Sequence, residues 1–171
     1  MAEIRCNDIK MTTCQPLIHE ETEAPDFSMI DIDLDTVTLA KFKDRPILIH
    51  TYPSIDTKMS FKSLTDIKER LAERKAVSLG ISYDLPFTLR RTYKHDNISG
   101  IQLLSAFRDE SFGQNYGVQI LDGPLEGLLA SAIFVLDAKH HLVYKELLTD
   151  LTQLPHYDAA ISALDHSCHA E

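Results

Sequence analysis

Tyr52-Pro53-Ser54-Ile55-Asp56-Thr57-Lys58-Met59-Ser60 is the stretch that decides the fold. It follows the apolar run Ile47-Leu48-Ile49-His50-Thr51, which has strand character. Beyond it, Leu64, Ile67 and Leu71 recur at helical spacing and mark one buried face of a helix through about Ala72. Lys62, Lys68, Glu69, Arg70, Glu73 and Arg74 supply the wet faces. A strand feeding a helix through a short turn is where an α/β protein places its chemistry, because free N–H groups and the positive end of the helix dipole face the turn. The residue delivered to the first helical turn is Ser60.

Working outward, Ala76-Val77-Ser78-Leu79-Gly80-Ile81-Ser82 is apolar enough for a central strand. Pro86 fits the first turn of a short helix with Asp84 as its cap. Ile101 to Leu104 and Ala132 to Leu136 read as further strands, and Asp137-Ala138-Lys139-His140 turns into Leu142-Val143-Tyr144. An amphipathic helix over Tyr157 to Leu164 closes the pattern. Toward the start, Asn7-Asp8 is a hairpin turn within residues 3–18, and His19 to Glu23 is a polar connector. Ala24-Pro25-Asp26-Phe27 opens the main body, followed by Met29-Ile30, the acidic stretch Asp31 to Asp35, Val37-Thr38-Leu39, Phe42 and an Asp44-Arg45-Pro46 turn. Strands alternating with helices, then a late hairpin, predict an α/β fold with a mixed sheet and helices on both faces. One domain is expected over 1–171, with the N-terminal hairpin at about 3–18 and a C-terminal tail at about 165–171.

The 171 residues are 44% hydrophobic, enough for one sizeable core. The net charge of −9, without a Lys/Arg cluster, argues against nucleic acid or an anionic membrane as partner. No apolar run approaches the length of about 18 residues needed to span a bilayer. The opening MAEIRCNDIK lacks the apolar centre of a signal peptide, so cytoplasm is the expected location. Cys6, Cys14 and Cys168 fit no zinc spacing, and a reduced chain accounts for them. With a turn at Asn7-Asp8, Cys6 and Cys14 are not opposite each other, and a bridge between them needs another register.

The 53–60 stretch resembles the active-site signature of the peroxiredoxins, Pro-x-x-x-Thr-x-x-Cys, in the PSIDT form of the thiol peroxidases, an atypical two-cysteine branch. Pro53 and Thr57 match, and Ser60 stands where the peroxidatic cysteine belongs. APDFS at 24–28, DLDTVTLAKFK at 33–43, ISYDLPF at 81–87, FGQNYGVQILDGPLEGL at 112–128 and LPHYDAAISAL at 154–164 resemble that family in the same order. The resemblance implies a thioredoxin-like (peroxiredoxin) fold, a mixed central sheet flanked by helices. It also implies a homodimer, thioredoxin as partner if the chain is active, and no cofactor or metal.

Peroxide reduction as the resemblance implies it needs a thiolate in the first helical turn, where the helix end and nearby cations lower the cysteine pKa. The thiolate attacks a peroxide oxygen, an arginine and the threonine hydroxyl stabilise the developing charge, and a second cysteine resolves the sulfenic acid. Ser60 has no such route, because an alkoxide lies beyond the reach of shifts of about five units and sulfenic chemistry belongs to sulfur. Two further departures accompany it. The family's DLPF-x-x-x-x-x-Cys reads DLPFTLRRTY, placing Tyr93 at the resolving position. The family's Gly-Leu-x-Ala-Arg-Ala reads GLLASA, placing Ser131 at the catalytic arginine position. A trapping mutation would not remove all three groups, so their combined loss reads as decay of the peroxidase site. The expectation is a pseudoenzyme that keeps binding a protein partner or a small apolar ligand. The alternative is an active thiol-dependent peroxidase, antioxidant in role, that uses a non-standard cysteine.

The remaining candidates have plainer readings. Pro53 and Thr57 persist as a turn proline and a helix-start hydroxyl, or else frame a pocket that still binds something. Arg108 in SAFRDESFG resembles the family's structural arginine and is expected in a salt bridge; Arg90 and Arg91 are expected in solvent, or bringing charge back toward the pocket. A serine hydrolase built on Ser60 would need His50 or His95 as base, yet no Gly-x-Ser-x-Gly elbow is present. His166, Cys168 and His169 are three metal-capable side chains in what reads as a frayed tail. His140 and His141 are expected to face solvent, and Cys14 to be a small buried or edge residue.

Overall fold

The computed structural model describes residues 1–14 and 16–169. The hairpin forms first: β1 (Glu3–Cys6) pairs antiparallel with β2 (Ile9–Thr12) around Asn7, whose φ of 53° takes the left-handed turn that asparagine tolerates. Ile4 faces Met11 in this register, and both are buried against Ile120, Ala130 and Leu151. Within β1 and β2 only that pair is deeply buried, which is why the hairpin shows poor alternation as a sequence. Cys6 lies opposite Ile9, and the Cys14 thiol reaches the Gly113 carbonyl at 3.5 Å.

Among the described residues, seven strands form the main sheet. They are β3 (Ser28–Asp31), β4 (Thr36–Thr38), β5 (Ile47–Thr51), β6 (Val77–Ser82), β7 (Gln102–Ser105), β8 (Ala132–Leu136) and β9 (Leu142–Leu147). Their order is β4-β3-β7-β6-β5-β8-β9, with β5, β6 and β7 parallel and the outer pairings antiparallel. The sheet is therefore mixed, as expected. β5 is buried at every position because it runs between β6 and β8 with both faces covered. The β3–β4 hairpin, of four and three residues, is too short to show a period in the sequence. Its acidic turn is held by Asp31, whose Oδ1 accepts the amides of Asp33 (2.9 Å) and Asp35 (3.0 Å).

Helices α1 (Lys58–Leu71), α2 (Pro86–His95) and α4 (Tyr157–His169) share one face, packing Leu64, Ile67, Leu89, Ile161 and Leu164 on Leu48, Leu103 and Ile133. Each such aliphatic side chain contributes about 1.5–3 kcal/mol on burial. The other face holds the short α3 (Phe112–Asn115), a 3₁₀ turn over Leu39–Phe42, and the residues around Tyr116 and Leu129.

Three expectations need correcting. Asp84 does not cap α2: Leu85 occupies that position without a side-chain bond. The residues after Leu164 are not a frayed tail through His169, because α4 continues and Arg74 of α1 grips Asp165 through Nε (2.7 Å) and Nη2 (3.0 Å). The side chain of His169, and Ala170 and Glu171, lie outside the described residues. His140 is not solvent-facing, since its Nε2 meets the Phe42 carbonyl at 3.0 Å.

Candidate functional site

β5 ends at Thr51, and the chain turns through Tyr52-Pro53-Ser54-Ile55-Asp56 to reach α1. Pro53 and Ile55 are buried, and the turn is anchored by a carboxylate from the neighbouring strand end. Asp84 accepts hydrogen bonds from the Ser54 hydroxyl (2.8 Å), the Ile55 amide (2.7 Å) and the Ser82 hydroxyl (2.7 Å). That anchoring role replaces the capping role read from sequence. Asp84→Ala should cost about 2–3 kcal/mol, since three bonds to a charged acceptor are lost and the Ile55 amide is left without its partner. Urea unfolding measures it; an unchanged midpoint would show that the turn holds itself.

Thr57 is the N-cap of α1, and its Oγ1 accepts the Ser60 amide at 3.2 Å. The same oxygen lies 3.1 Å from the Ser54 carbonyl and 2.5 Å from the Ser60 hydroxyl. A carbonyl only accepts, so the Thr57 proton goes to Ser54 and the Ser60 hydroxyl donates to Thr57. Ser60 is 4% exposed, with its amide and hydroxyl both engaged by Thr57. An alcohol has none of a thiol's acidity, and this one is buried with its proton engaged.

The other two positions differ in placement. Ser131 directly precedes Ala132, which pairs with Thr51, so it sits at the sheet end from which the Tyr52–Asp56 turn departs. It is 8% exposed and uncharged. Tyr93 is not beside the turn. It lies two turns down α2 from Pro86 and lines a cavity at the opposite end of the sheet, formed where β6 and β7 begin.

The arginines do not supply a cation to Ser60. Arg91 reaches Asp56 at 3.7 Å, with both side chains mostly in solvent. Arg90 is not free in solvent as expected: its Nε donates to the Ile32 carbonyl at 2.5 Å and its Nη2 lies 3.6 Å from Asp33. Arg108 lies over the Phe107 ring at 5.1 Å, and among the described residues it makes no salt bridge, contrary to expectation.

The hydrolase reading fails on geometry. His50 is bound to Ser63, not Ser60: its Nε2 lies 2.7 Å from the Ser63 hydroxyl and its Nδ1 3.1 Å from the Ala132 carbonyl. Since the carbonyl accepts, Nδ1 carries the proton and Nε2 accepts from Ser63. Burial pushes the His50 pKa down to about 4. His95 ends α2 roughly 14 Å along the axis from Pro86, at 1.5 Å per residue. Beside this dyad the Tyr52 ring packs on His50 at 5.5 Å.

Among the described residues, no group of three or more His, Cys, Asp or Glu could hold a metal ion. The His166 Nδ1 is turned onto the Ser162 carbonyl of its own helix at 2.6 Å. Burial raises the pKa of Cys168, and the neighbouring Asp165 raises it further. No helix is long and apolar enough to cross a membrane among the described residues.

Comparison with known proteins agrees with this architecture. The Redoxin family profile matches residues 19–161. The thiol peroxidase of Mycobacterium tuberculosis (strain ATCC 25618 / H37Rv) is 37% identical over 164 residues, covering 96% of this chain and 99% of that protein. The thiol peroxidase of Staphylococcus aureus (strain MRSA252) is 40% identical over 146 residues, covering 85% and 87%. The crystal structure of a peroxiredoxin-like protein from Aquifex aeolicus superposes with a TM-score of 0.91 at 27% identity, covering 96% of each chain. That superposition bears out the thioredoxin-like peroxiredoxin fold expected from the motifs. With the whole strand–turn–helix unit, the Thr57 cap and these relatives in agreement, the chain belongs to the redoxin family, in its thiol peroxidase branch.

Proposed function

We propose that this chain is a single redoxin domain of the thiol peroxidase type that has kept the fold and lost peroxide reduction. The observation that carries this reading is Ser60: an alcohol, buried, and hydrogen-bonded to its own cap at the position of the peroxidatic thiol. Ser131 at the arginine position and Tyr93 at the resolving position support it. The residual role is binding, in the cytoplasm, of a small apolar ligand, another protein or a second copy of the chain. Leu85 and Phe87, directly after the anchoring Asp84, are 52% and 63% exposed and offer an apolar contact there.

A second reading starts from the name of the relatives, thiol peroxidase: Cys6, Cys14 or Cys168 carries the chemistry and thioredoxin restores it. The two separate in one assay. Wild-type protein given hydrogen peroxide and dithiothreitol is expected to consume peroxide no faster than the Cys6→Ser/Cys14→Ser/Cys168→Ser variant. Enzymatic turnover in the wild type that disappears in the triple variant would overturn the proposal and establish the second reading.

A further inference from the structure

Helix α2 presents to solvent a ridge that the fold does not use. Pro86, Leu89 and Thr92 face the core, and on the opposite side Phe87 is followed by Arg91, Lys94 and His95 at spacings of four, seven and eight residues. Phe87 and, at the cap before the helix, Leu85 are each more than half exposed. Phe107, 39% exposed, is brought near them, because two residues earlier the Ser105 hydroxyl donates to the Asp84 carbonyl at 2.5 Å. Three large apolar side chains thus gather at the N-terminal end of the ridge, and cations follow them.

The cations have a plain role in part: Lys94 and His95 suit the negative end of the helix dipole. That role explains neither Arg91 in mid-helix nor the exposed apolar side chains. α2 contains Arg90, Arg91 and Lys94 and no carboxylate, in a chain whose net charge is −9. Neighbouring carboxylates neutralise little of the ridge. Asp84 is turned inward onto Ser54, Ile55 and Ser82, Asp109 accepts the amides of Ser28 and Phe112, and Asp33 meets Arg90 on the flank of the helix. Asp56 comes only within 3.7 Å of Arg91, with both in solvent. Asp96 follows the helix end, where Lys68 adds a cation by bonding the Asn97 carbonyl. Lys94 and His95 enter no ion pair among the described residues. A partner matched to this ridge offers carboxylates around an apolar centre. A second copy matches it poorly, because an isologous contact sets the same patch on both subunits and so adds like charge to like.

We propose, on the reading that this chain binds rather than reduces peroxide, that the α2 ridge docks an acidic segment of another protein whose carboxylates flank apolar side chains. Leu85, Phe87 and Phe107 meet the apolar side chains, and Arg91, Lys94 and His95 meet the carboxylates.

The probe is the synthetic peptide acetyl-Glu-Glu-Leu-Glu-Phe-Leu-Glu-Glu-amide, titrated into the full ¹⁵N-labelled chain, with the same peptide carrying Lys in place of every Glu as control. The acidic peptide should move the Phe87, Arg91 and Lys94 amide resonances saturably, with a Kd below about 1 mM, and the lysine peptide should leave them in place. Phe87→Ala and Arg91→Glu/Lys94→Glu, at exposed positions, should each weaken binding about tenfold or more while the rest of the spectrum stays unchanged. Four results would overturn the proposal: no saturable shift by about 5 mM, equal binding by the lysine peptide, shifts that survive both variants, or a wild-type dimer in sedimentation that Phe87→Ala dissociates. The last would give the ridge to a second copy and leave the binding reading standing. Enzymatic peroxide turnover would end that reading whether or not the peptide binds.

Discussion

Ser60→Cys alone is expected to remain a poor peroxidase, and Ser60→Cys/Ser131→Arg to reduce hydrogen peroxide about 10²–10³-fold faster than the single variant. Sulfur at position 60 would restore the nucleophile: a thiolate displaces hydroxide from the peroxide and becomes a sulfenic acid, which dithiothreitol returns to the thiol. The helix start favours that thiolate through its dipole, and the Thr57 hydroxyl, 2.5 Å from the position-60 oxygen, can turn its proton from the Ser54 carbonyl to the sulfur. A helix dipole, however, contributes only about 0.3–1 kcal/mol at most exposed sites, less than one pKa unit. Position 131 adjoins the residue paired with Thr51, so a guanidinium there enters at the sheet end where the turn begins. It would hold the thiolate before attack and the departing oxygen during it, and a preorganised donor at developing charge commonly supplies about 10²–10³ in rate. Stopped-flow peroxide consumption measures the rates, and ultraviolet titration of the position-60 thiol gives its acidity. A single variant as fast as the double would show that Ser131 is not the missing element.

The strand, the turn and the first helix were legible because each leaves a local signature: an apolar run, a proline with a cap hydroxyl, and helical spacing at Leu64, Ile67 and Leu71. What escaped depends on contacts distant in sequence. Asp84 lies beside Pro86 and so reads as a helix cap, but its partners Ser54 and Ile55 are 30 and 29 residues away. The length of α4 is set by Arg74 meeting Asp165 across 91 residues, which no terminal propensity reveals. β3 and β4 have four and three residues, too few to show a period, and β3 is held by β7 from far along the chain. Tyr93 stands where the resemblance places a resolving cysteine, yet the cavity it lines lies at the far end of the sheet, so motif spacing named the position without its surroundings. His50 escaped for another reason: every residue of β5 is buried, so alternation carries no information about which face holds which partner.

That histidine makes the stability of the fold depend on acid. His50 is 1% exposed, and burial, the largest cause, holds its pKa at about 4, below the ordinary 6.5, despite opposing pulls from the Ala132 carbonyl and Glu146. Above pH 6.5 the ring is neutral whether the chain is folded or not, and the full stability is present. As pH falls from about 6.5 toward 4, the unfolded chain takes up a proton that the folded chain refuses, so stability declines. A gap of this size corresponds to roughly 3 kcal/mol lost by pH 4, where the contribution of this group levels off. The consequence is local as well as global. Protonating Nε2 reverses its bond to Ser63, one turn along α1 from Ser60: Nε2–H donates to the hydroxyl, whose proton turns to the Ser60 carbonyl 3.0 Å away, and the cost is that of burying the charge. Urea midpoints of the wild type between pH 7 and pH 4 should therefore fall more steeply than those of His50→Gln, whose amide can bond both Ser63 and Ala132 without titrating. Subtracting the two curves cancels the other seven histidines and the carboxylates common to both chains. Parallel curves would mean that the buried imidazole is protonated as readily in the folded chain as in the unfolded one.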